Sequence, residues 1–402
     1  MYQGKKVIVL AEPMWSEGHF ETQMQLFLSV LLPEECRLIV LCAEPDRVMG
    51  WLADQMPEYK KSAFAAHFTV SNRNGKKCYK RGQLWSYLSE TVKKAEEDSG
   101  WNVDLVFITF LDILVDGSWR TLGFRAGFDY QWAGLYFLPS FFRYKSNIIR
   151  RAIQLVNNTI FYRIKNCNGI GILDEGIYST MKERVKDCEL FVFPDVTDER
   201  LPDCIPEHIN RIRLDAGNRT IIGFVGVLQK RKGLLNYLRA MQAIDPTKCY
   251  FLLAGHLPLN EYTPAEQAEI NRLLADQDGK NRHFELNYIR DPVEFNAYIN
   301  ICDVLYIAYE GFYHSSGIMT KAAVFEKPVI ATKGYCMGER VDKYRLGLTV
   351  AEGNITEIIE AIETLAEEKA RKQIVSEAKF DYYYDYHNAN MLQDVLCRML
   401  SV

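Results

Sequence analysis

A chain of 402 residues with 48 Lys and Arg against 52 Asp and Glu carries a formal net charge of −4, which argues against a general nucleic-acid binder, since such proteins use a net basic face to displace counterions. Hydrophobic content of 48% with 25% charged residues marks a globular chain, and the length implies roughly two domains of about 150–200 residues each. Ten cysteines, scattered from Cys36 to Cys397 without a C-x-x-C pair, argue against a disulfide framework or zinc site and fit reduced thiols in the cytoplasm, so no metal is expected.

The first element is the apolar run Val7 to Ala11, too short before Glu12 and Pro13 for a signal peptide and suited to a buried strand. No later apolar run reaches the ~18–20 residues a helix needs to cross a bilayer. A glycine-containing turn, Trp15 to Phe20 with Gly18 and His19, leads into a helix over Phe20 to Leu32. Strands are expected at Arg37 to Cys42, Val103 to Phe110, Gln131 to Tyr136 and Gly169 to Leu173, with a helix over Leu84 to Glu97. Asp112, just past Val103 to Phe110, suits either a general base or a cap on the segment that follows. Trp132 to Arg151 interleaves Tyr136, Phe137, Phe141, Phe142 and Tyr144 with Arg143, Lys145, Arg150 and Arg151, a composition that suits an anionic membrane surface, an acceptor groove or plain packing. The run Leu190 to Phe193 ends at Pro194-Asp195, and the charged stretch Val196 to Asn218 reads as an irregular interdomain connection. The expected division is 1–195, 196–385, and a terminal helical piece 386–402.

The second half opens with Ile221 to Gly226, a buried strand, then the basic turn Gln229-Lys230-Arg231-Lys232-Gly233 and a helix over Leu234 to Ile244. Phe251 to Gly255 and Phe284 to Leu286 read as strands, the latter followed by Tyr288, Ile289 and Arg290. After Cys302-Asp303-Val304 come Glu310-Gly311-Phe312 and the small-residue turn His314-Ser315-Ser316-Gly317, ahead of a helix over Ile318 to Phe325. A serine N-cap with glycine leaves helix-start amides open to an anion, although a simple cap explains it equally. Lys327 to Thr332 is the next strand, and helices fill Ile355 to Phe380 and Asn388 to Leu400. Strands alternating with helices along the whole chain are the pattern of parallel sheets covered on both faces.

Five pieces of this second half, in order across about 130 residues, resemble one family. Phe224-Val225-Gly226 with Arg231-Lys232-Gly233 looks like a strand, turn and KG helix start, and Phe251 to Gly255 like the next strand ending in glycine. Cys302-Asp303-Val304, Lys327 to Thr332, and Gly338-Glu339-Arg340-Val341 with Gly347 complete the set. The order is similar to that of the GT-B glycosyltransferases, most nearly the large retaining, family 4-like branch that uses nucleotide-diphosphate sugars. The resemblance implies an α/β fold of two Rossmann-like, doubly wound domains facing a central cleft, with the donor in the second, the acceptor in the first and the last helix crossing back.

The same resemblance implies a site. Lys232 matches the family's diphosphate lysine, with Arg231 as a second cation and Gly226 as the strand-end glycine. Ser315, Ser316, Gly317 and Ile318 would offer amides, and His314 and Glu310 sugar contacts. Glu339 would lie in a turn near the donor, and Tyr288 and Ile289 where backbone groups form the nucleobase pocket. Gly18 and His19 sit at the turn that meets acceptor and diphosphate. His19, Asp112 and Glu310 are the catalytic candidates, His19 suiting proton transfer near neutral pH or a structural hydrogen bond alike.

Two departures stand out. The family's paired glutamates, eight positions apart, hold donor sugar and ribose; Glu310 looks like the first, but eight positions on stands Ile318, and aligning back from Pro328 puts Lys321 in the place of the second. Either the loop carries an insertion or the branch is divergent with another donor geometry. Val227 stands where the family often has an arginine. Retention of anomeric configuration therefore does not follow. The expected activity is transfer of a sugar from a nucleotide-diphosphate donor to a hydroxyl acceptor, without metal or other cofactor. A nucleotide-sugar epimerase of the same plan, or a silent binding protein, are the alternatives.

Overall fold

The computed structural model describes residues 5–14, 23–70, 84–113, 128–139, 142–143, 165–275 and 281–401. In chain order the first strands and helices are β1 (Val7–Ala11), α1 (Gln25–Leu31), β2 (Arg37–Cys42), α2 (Pro45–Gln55), β3 (Ala63–His67), α3 (Leu84–Ser99), β4 (Leu105–Ile108), β5 (Trp132–Tyr136), β6 (Cys167–Ile172), α4 (Tyr178–Lys182) and β7 (Glu189–Val192). There follow α5 (Glu207–Ala216), β8 (Thr220–Val225), α6 (Leu234–Ala243), β9 (Cys249–Ala254), α7 (Pro264–Ala275), β10 (Arg282–Glu285), α8 (Pro292–Ile301), β11 (Val304–Ile307) and α9 (Gly317–Val324). The chain ends with β12 (Val329–Thr332), α10 (Tyr335–Tyr344), β13 (Gly347–Val350), α11 (Ile355–Ala366), α12 (Glu368–Glu377), α13 (Phe380–Tyr384) and α14 (Ala389–Leu400). These elements form two units, Met1–Pro194 with Ala389–Val402, and Asp195–Asn388.

The first unit is a seven-stranded sheet in the order β3-β2-β1-β4-β5-β6-β7, with every strand pairing parallel. Its central strand β1, Val-Ile-Val-Leu-Ala, is buried at every position, as a strand covered on both faces must be. β3 is the half-buried edge, and its Ala-Phe-Ala-Ala-His sequence carries too little apolar contrast to stand out. Along α3 the buried stripe Leu84, Leu88, Val92 and Ala95 recurs at helical spacing and faces the sheet. α14 belongs to this unit: Leu392, Val395, Leu396 and Met399 are buried where it packs on α1, β6 and β7. Lys6 donates from Nζ to the carbonyl of Leu400 at 2.5 Å, matching a cation to the negative end of that helix.

The second unit is a six-stranded parallel sheet in the order β10-β9-β8-β11-β12-β13. Side chains alternate across it with period two. Ile221, Val225, Leu252, Leu305 and Ile307 enter one core. Ile222, Phe224, Phe251, Leu253, Val304 and Tyr306 enter the other. The order reverses between β8 and β11, and the space beyond the carboxyl ends of those two strands is where doubly wound sheets take ligands.

Two expectations change. The stretch from Val196 to Asn218 is not irregular throughout, because Glu207–Ala216 forms α5. Only Ile209, Ile212 and Ala216 of that helix are buried, so its charged remainder masked the stripe. The single helical stretch Ile355 to Phe380 divides into α11 and α12 at Glu367, whose backbone is extended. Neither α2 nor β3 was anticipated.

Candidate active site

β8 leads straight into Gly226, whose φ is +113°, a conformation that favours glycine. A β-carbon at Gly226 would stand 3.3 Å from Lys232 Nζ, 3.7 Å from Phe295 Cζ and 3.9 Å from Ile318 Cδ1. Three segments therefore converge on the buried Gly226: the β8–α6 turn, the start of α8 and the start of α9. Lys230–Lys232 is a single 3-10 turn that ends at Gly233, with φ +78°. A β-carbon on Gly233 would come within 2.6 Å of the Ala308 carbonyl, so the basic turn is seated directly on the end of β11. The Glu310 amide donates to the Arg231 carbonyl at 2.7 Å and fixes the same approach.

The cations of this turn are placed unequally. Lys230 forms an ion pair with Glu266 at 2.7 Å. Lys232 lies 5.8 Å from the centre of the Tyr309 ring, while Arg231 lies 4.6 Å from that of Phe312 and 6.0 Å from that of Tyr309. Among the described residues no carboxylate forms an ion pair with either. Burial, and then the neighbouring Arg231 charge, pull the Lys232 pKa down to about 8 against the opposing effect of Glu261. Held in place with their charge unneutralised, Lys232 and Arg231 suit an anion.

The β11–α9 loop supplies the other wall. Ser316 is the N-cap of α9 but makes no side-chain cap bond. The first-turn amides of Gly317 and Ile318 have no acceptor within the helix. Gly317 is exposed, with nothing within 4 Å of its would-be β-carbon. The Ser315 hydroxyl faces inward: it donates to the Asp195 carboxylate and accepts from the guanidinium of fully buried Arg340. Its side chain thus anchors the loop rather than being available to a ligand. His314 is buried and meets Phe312 edge-on at 5.5 Å.

Other candidates lie elsewhere or are otherwise engaged. The Glu310 carboxylate accepts from Asn236 Nδ2 at 2.6 Å, and burial followed by the Glu352 charge pushes its pKa upward. Glu339 is not in a turn, as its sequence context suggested, but within α10 and exposed. The glycine before it serves packing: a β-carbon on Gly338 would stand 2.4 Å from the Thr332 carbonyl. Tyr288 is exposed between β10 and α8, while Ile289 packs on the core.

In the first unit, Asp112 occupies a 3-10 turn and accepts from the Phe137 and Leu138 amides at 2.8 and 2.6 Å. Burial raises its pKa to about 6 against the pull of those amides. Of the aromatic and basic stretch 132–151, Phe137 stacks on Phe110, and Arg143 forms a bidentate pair with buried Asp174. The remainder, 140–141 and 144–151, lies outside the described residues, as do Gly18 and His19. Sequence reasoning did not find Asn236, Phe295 or Tyr309, since each is an unremarkable residue in an apolar or helical run and acquires a role only by proximity.

Two doubly wound parallel units, with a glycine and a lysine at the switch point of the second, define the class of fold: the chain has the two-domain GT-B fold. Residues 207–380 match the model of the family described as glycosyl transferases group 1. Solved structures agree along the whole chain. Sucrose-phosphate synthase from Thermosynechococcus elongatus superposes with a TM-score of 0.66 at 15% identity, covering 99% of this chain and 98% of that one. Anabaena HepE in complex with UDP and glucose gives 0.66 at 15% identity, with 99% of each chain covered. The α,α-trehalose 6-phosphate synthase from Burkholderia multivorans gives 0.64 at 11% identity, again with 99% of each covered. No curated protein matches the sequence. Among the described residues no helix is long and apolar enough to cross a membrane.

Proposed function

We propose that the protein transfers a sugar from a nucleotide-diphosphate sugar to a hydroxyl acceptor, and that the second unit grips the donor's diphosphate. The observation that carries this reading is the convergence on Gly226 of the partly buried Lys232 ammonium and the start of α9. Breaking the bond between sugar and diphosphate gathers negative charge on the leaving oxygen. A fixed cation and unpaired amides aimed there stabilise the transition state more than the ground state, which is the condition for raising turnover. The absence of a β-carbon at Gly226 lets a phosphate oxygen approach both groups. Arg231, held against Phe312, supplies a second positive charge at the rim.

Anabaena HepE has been crystallised with UDP and with UDP-glucose, which supports a nucleotide-sugar donor for this chain. The acceptor's hydroxyl proton requires a base, and His19 is the group we assign to it.

The decisive experiment measures transfer and donor hydrolysis by Lys232→Ala against the unaltered enzyme, using a panel of nucleotide sugars with and without acceptor. Loss of at least about a hundredfold in donor kcat/KM with the fold retained is expected from removing such a contact. Unchanged turnover would overturn the assignment, and interconversion of donors without any acceptor would mark an epimerase instead.

A further inference from the structure

Lys321 lies on α9 three residues beyond Ile318, mostly buried, and its ammonium is fully engaged. It donates to the Asp198 carbonyl at 2.7 Å and to Asn296 Oδ1 at 2.6 Å, and it lies 5.6 Å from the centre of the Phe295 ring. Asn296, fully buried on α8, turns its amide nitrogen to the carbonyls of Asp198, at 3.0 Å, and Arg200, at 2.8 Å. One cation and one amide thereby join three segments: the strap 198–200, α8 and α9. Burying a lysine is costly unless its N–H groups are matched, and here two are matched by oxygens while the ring faces the ammonium.

The position of this knot bears on the diphosphate site. Phe295 and Ile318, with Lys232, supply the side-chain atoms nearest the would-be β-carbon of Gly226. Lys321 touches the first and shares a helix face with the second. A second bond, from Ser315 to Asp195, ties the entry of α9 to the same early segment of the unit, three residues before Asp198.

We infer that Lys321 is a positioning residue for donor binding: it pins α9 and Phe295 to the strap at 198–200, and so keeps the first turn of α9 aimed at Gly226 and Lys232. It makes no contact with the donor. The inference rests on the donor reading given above.

The test compares Lys321→Met and Lys321→Arg with the unaltered enzyme for nucleoside diphosphate affinity by calorimetry, donor and acceptor KM, kcat and thermal midpoint. The probe is whichever of UDP, GDP and ADP binds the unaltered enzyme most tightly. Lys321→Met is expected to raise the dissociation constant and the donor KM about tenfold, with acceptor KM unchanged, because hydrogen bonds to a charged group are lost and the helix shifts. Lys321→Arg should recover part of that loss. Should Lys321→Met fail to fold, Asn296→Asp keeps an acceptor facing Lys321 but removes the donor to the strap, and it is expected to weaken the same two constants. A folded variant of either kind with both constants within about twofold of the original overturns the inference, as does a drop in thermal midpoint with donor constants unmoved. If the unaltered enzyme binds no nucleoside diphosphate, the donor reading itself fails, and that outcome is separate from any effect of the variants.

Discussion

The Nζ of Lys232 stands 3.3 Å from the point a β-carbon would occupy on Gly226, so the ammonium lies directly against the glycine and a side chain there would displace it. That relationship makes Gly226→Ala a selective probe. The substituted residue would hold φ near +113°, at a cost of roughly 1 kcal/mol, and its methyl group would push the ammonium aside. Donor kcat/KM should fall at least about tenfold, while the thermal midpoint moves by only a few degrees. A variant with normal donor kinetics would show that no ligand enters there.

How much of this was legible in the sequence varies by residue. β8, the basic turn and α6 could be read directly because apolar period and glycine placement are local signals. α5 could not, because its three buried residues sit among seven positions that face outward or charge the surface. Glu339 was misread for a related reason: Gly338 signals a turn in sequence, but in the fold it allows close contact with the Thr332 carbonyl inside a helix. Lys321 was noticed only as a departure. Its role depends on Asp198, 123 residues earlier, and on Asn296, which no local pattern connects to it. Likewise, Ser315 suggested a ligand contact by composition, but its hydroxyl is committed to Asp195 and Arg340.

The Lys232 pKa, brought down to about 8 by burial and by Arg231, sets a pH dependence with two opposite signs. Nucleoside diphosphate affinity should be constant below pH 8 and weaken above it, by up to about tenfold per pH unit, as the ammonium loses its proton. Lys232→Arg keeps its charge throughout and should remove that alkaline limb. Stability moves the other way. Between about pH 8 and the free lysine value of 10.5 the unfolded chain holds a proton that the folded chain does not, so this residue makes stability rise with pH there. Calorimetric titrations from pH 6 to 10 check the first sign; denaturant unfolding across the same range checks the second. Affinity that is flat through pH 9 would remove Lys232 from the diphosphate.

If Lys232, Arg231 and the first turn of α9 supply the positive charge that the leaving diphosphate needs, turnover should not depend on a divalent cation. We therefore expect transfer rates in excess chelator to match those with added magnesium or manganese within about twofold. A rate that collapses in chelator and returns with one added ion would assign the charge to that ion.

Asp112 separates a structural from a catalytic part for the first unit's carboxylate. Both of its oxygens are occupied by the Phe137 and Leu138 amides, and burial raises its pKa to about 6. A carboxyl whose folded pKa lies above its free value of 3.8 contributes stability that is complete below about pH 4 and is lost as pH rises through about 6. Asp112→Asn should abolish that dependence between pH 4 and 6. It should also destabilise the protein by about 1–3 kcal/mol at neutral pH, because the amide presents a donor where two backbone donors already point. Turnover per folded molecule is expected to stay within about threefold of the original, since both carboxylate oxygens are committed to backbone amides rather than turned to an acceptor hydroxyl. A loss of kcat by orders of magnitude with an unchanged unfolding curve would instead assign Asp112 to the chemistry and leave the two amide bonds as the means of aiming it.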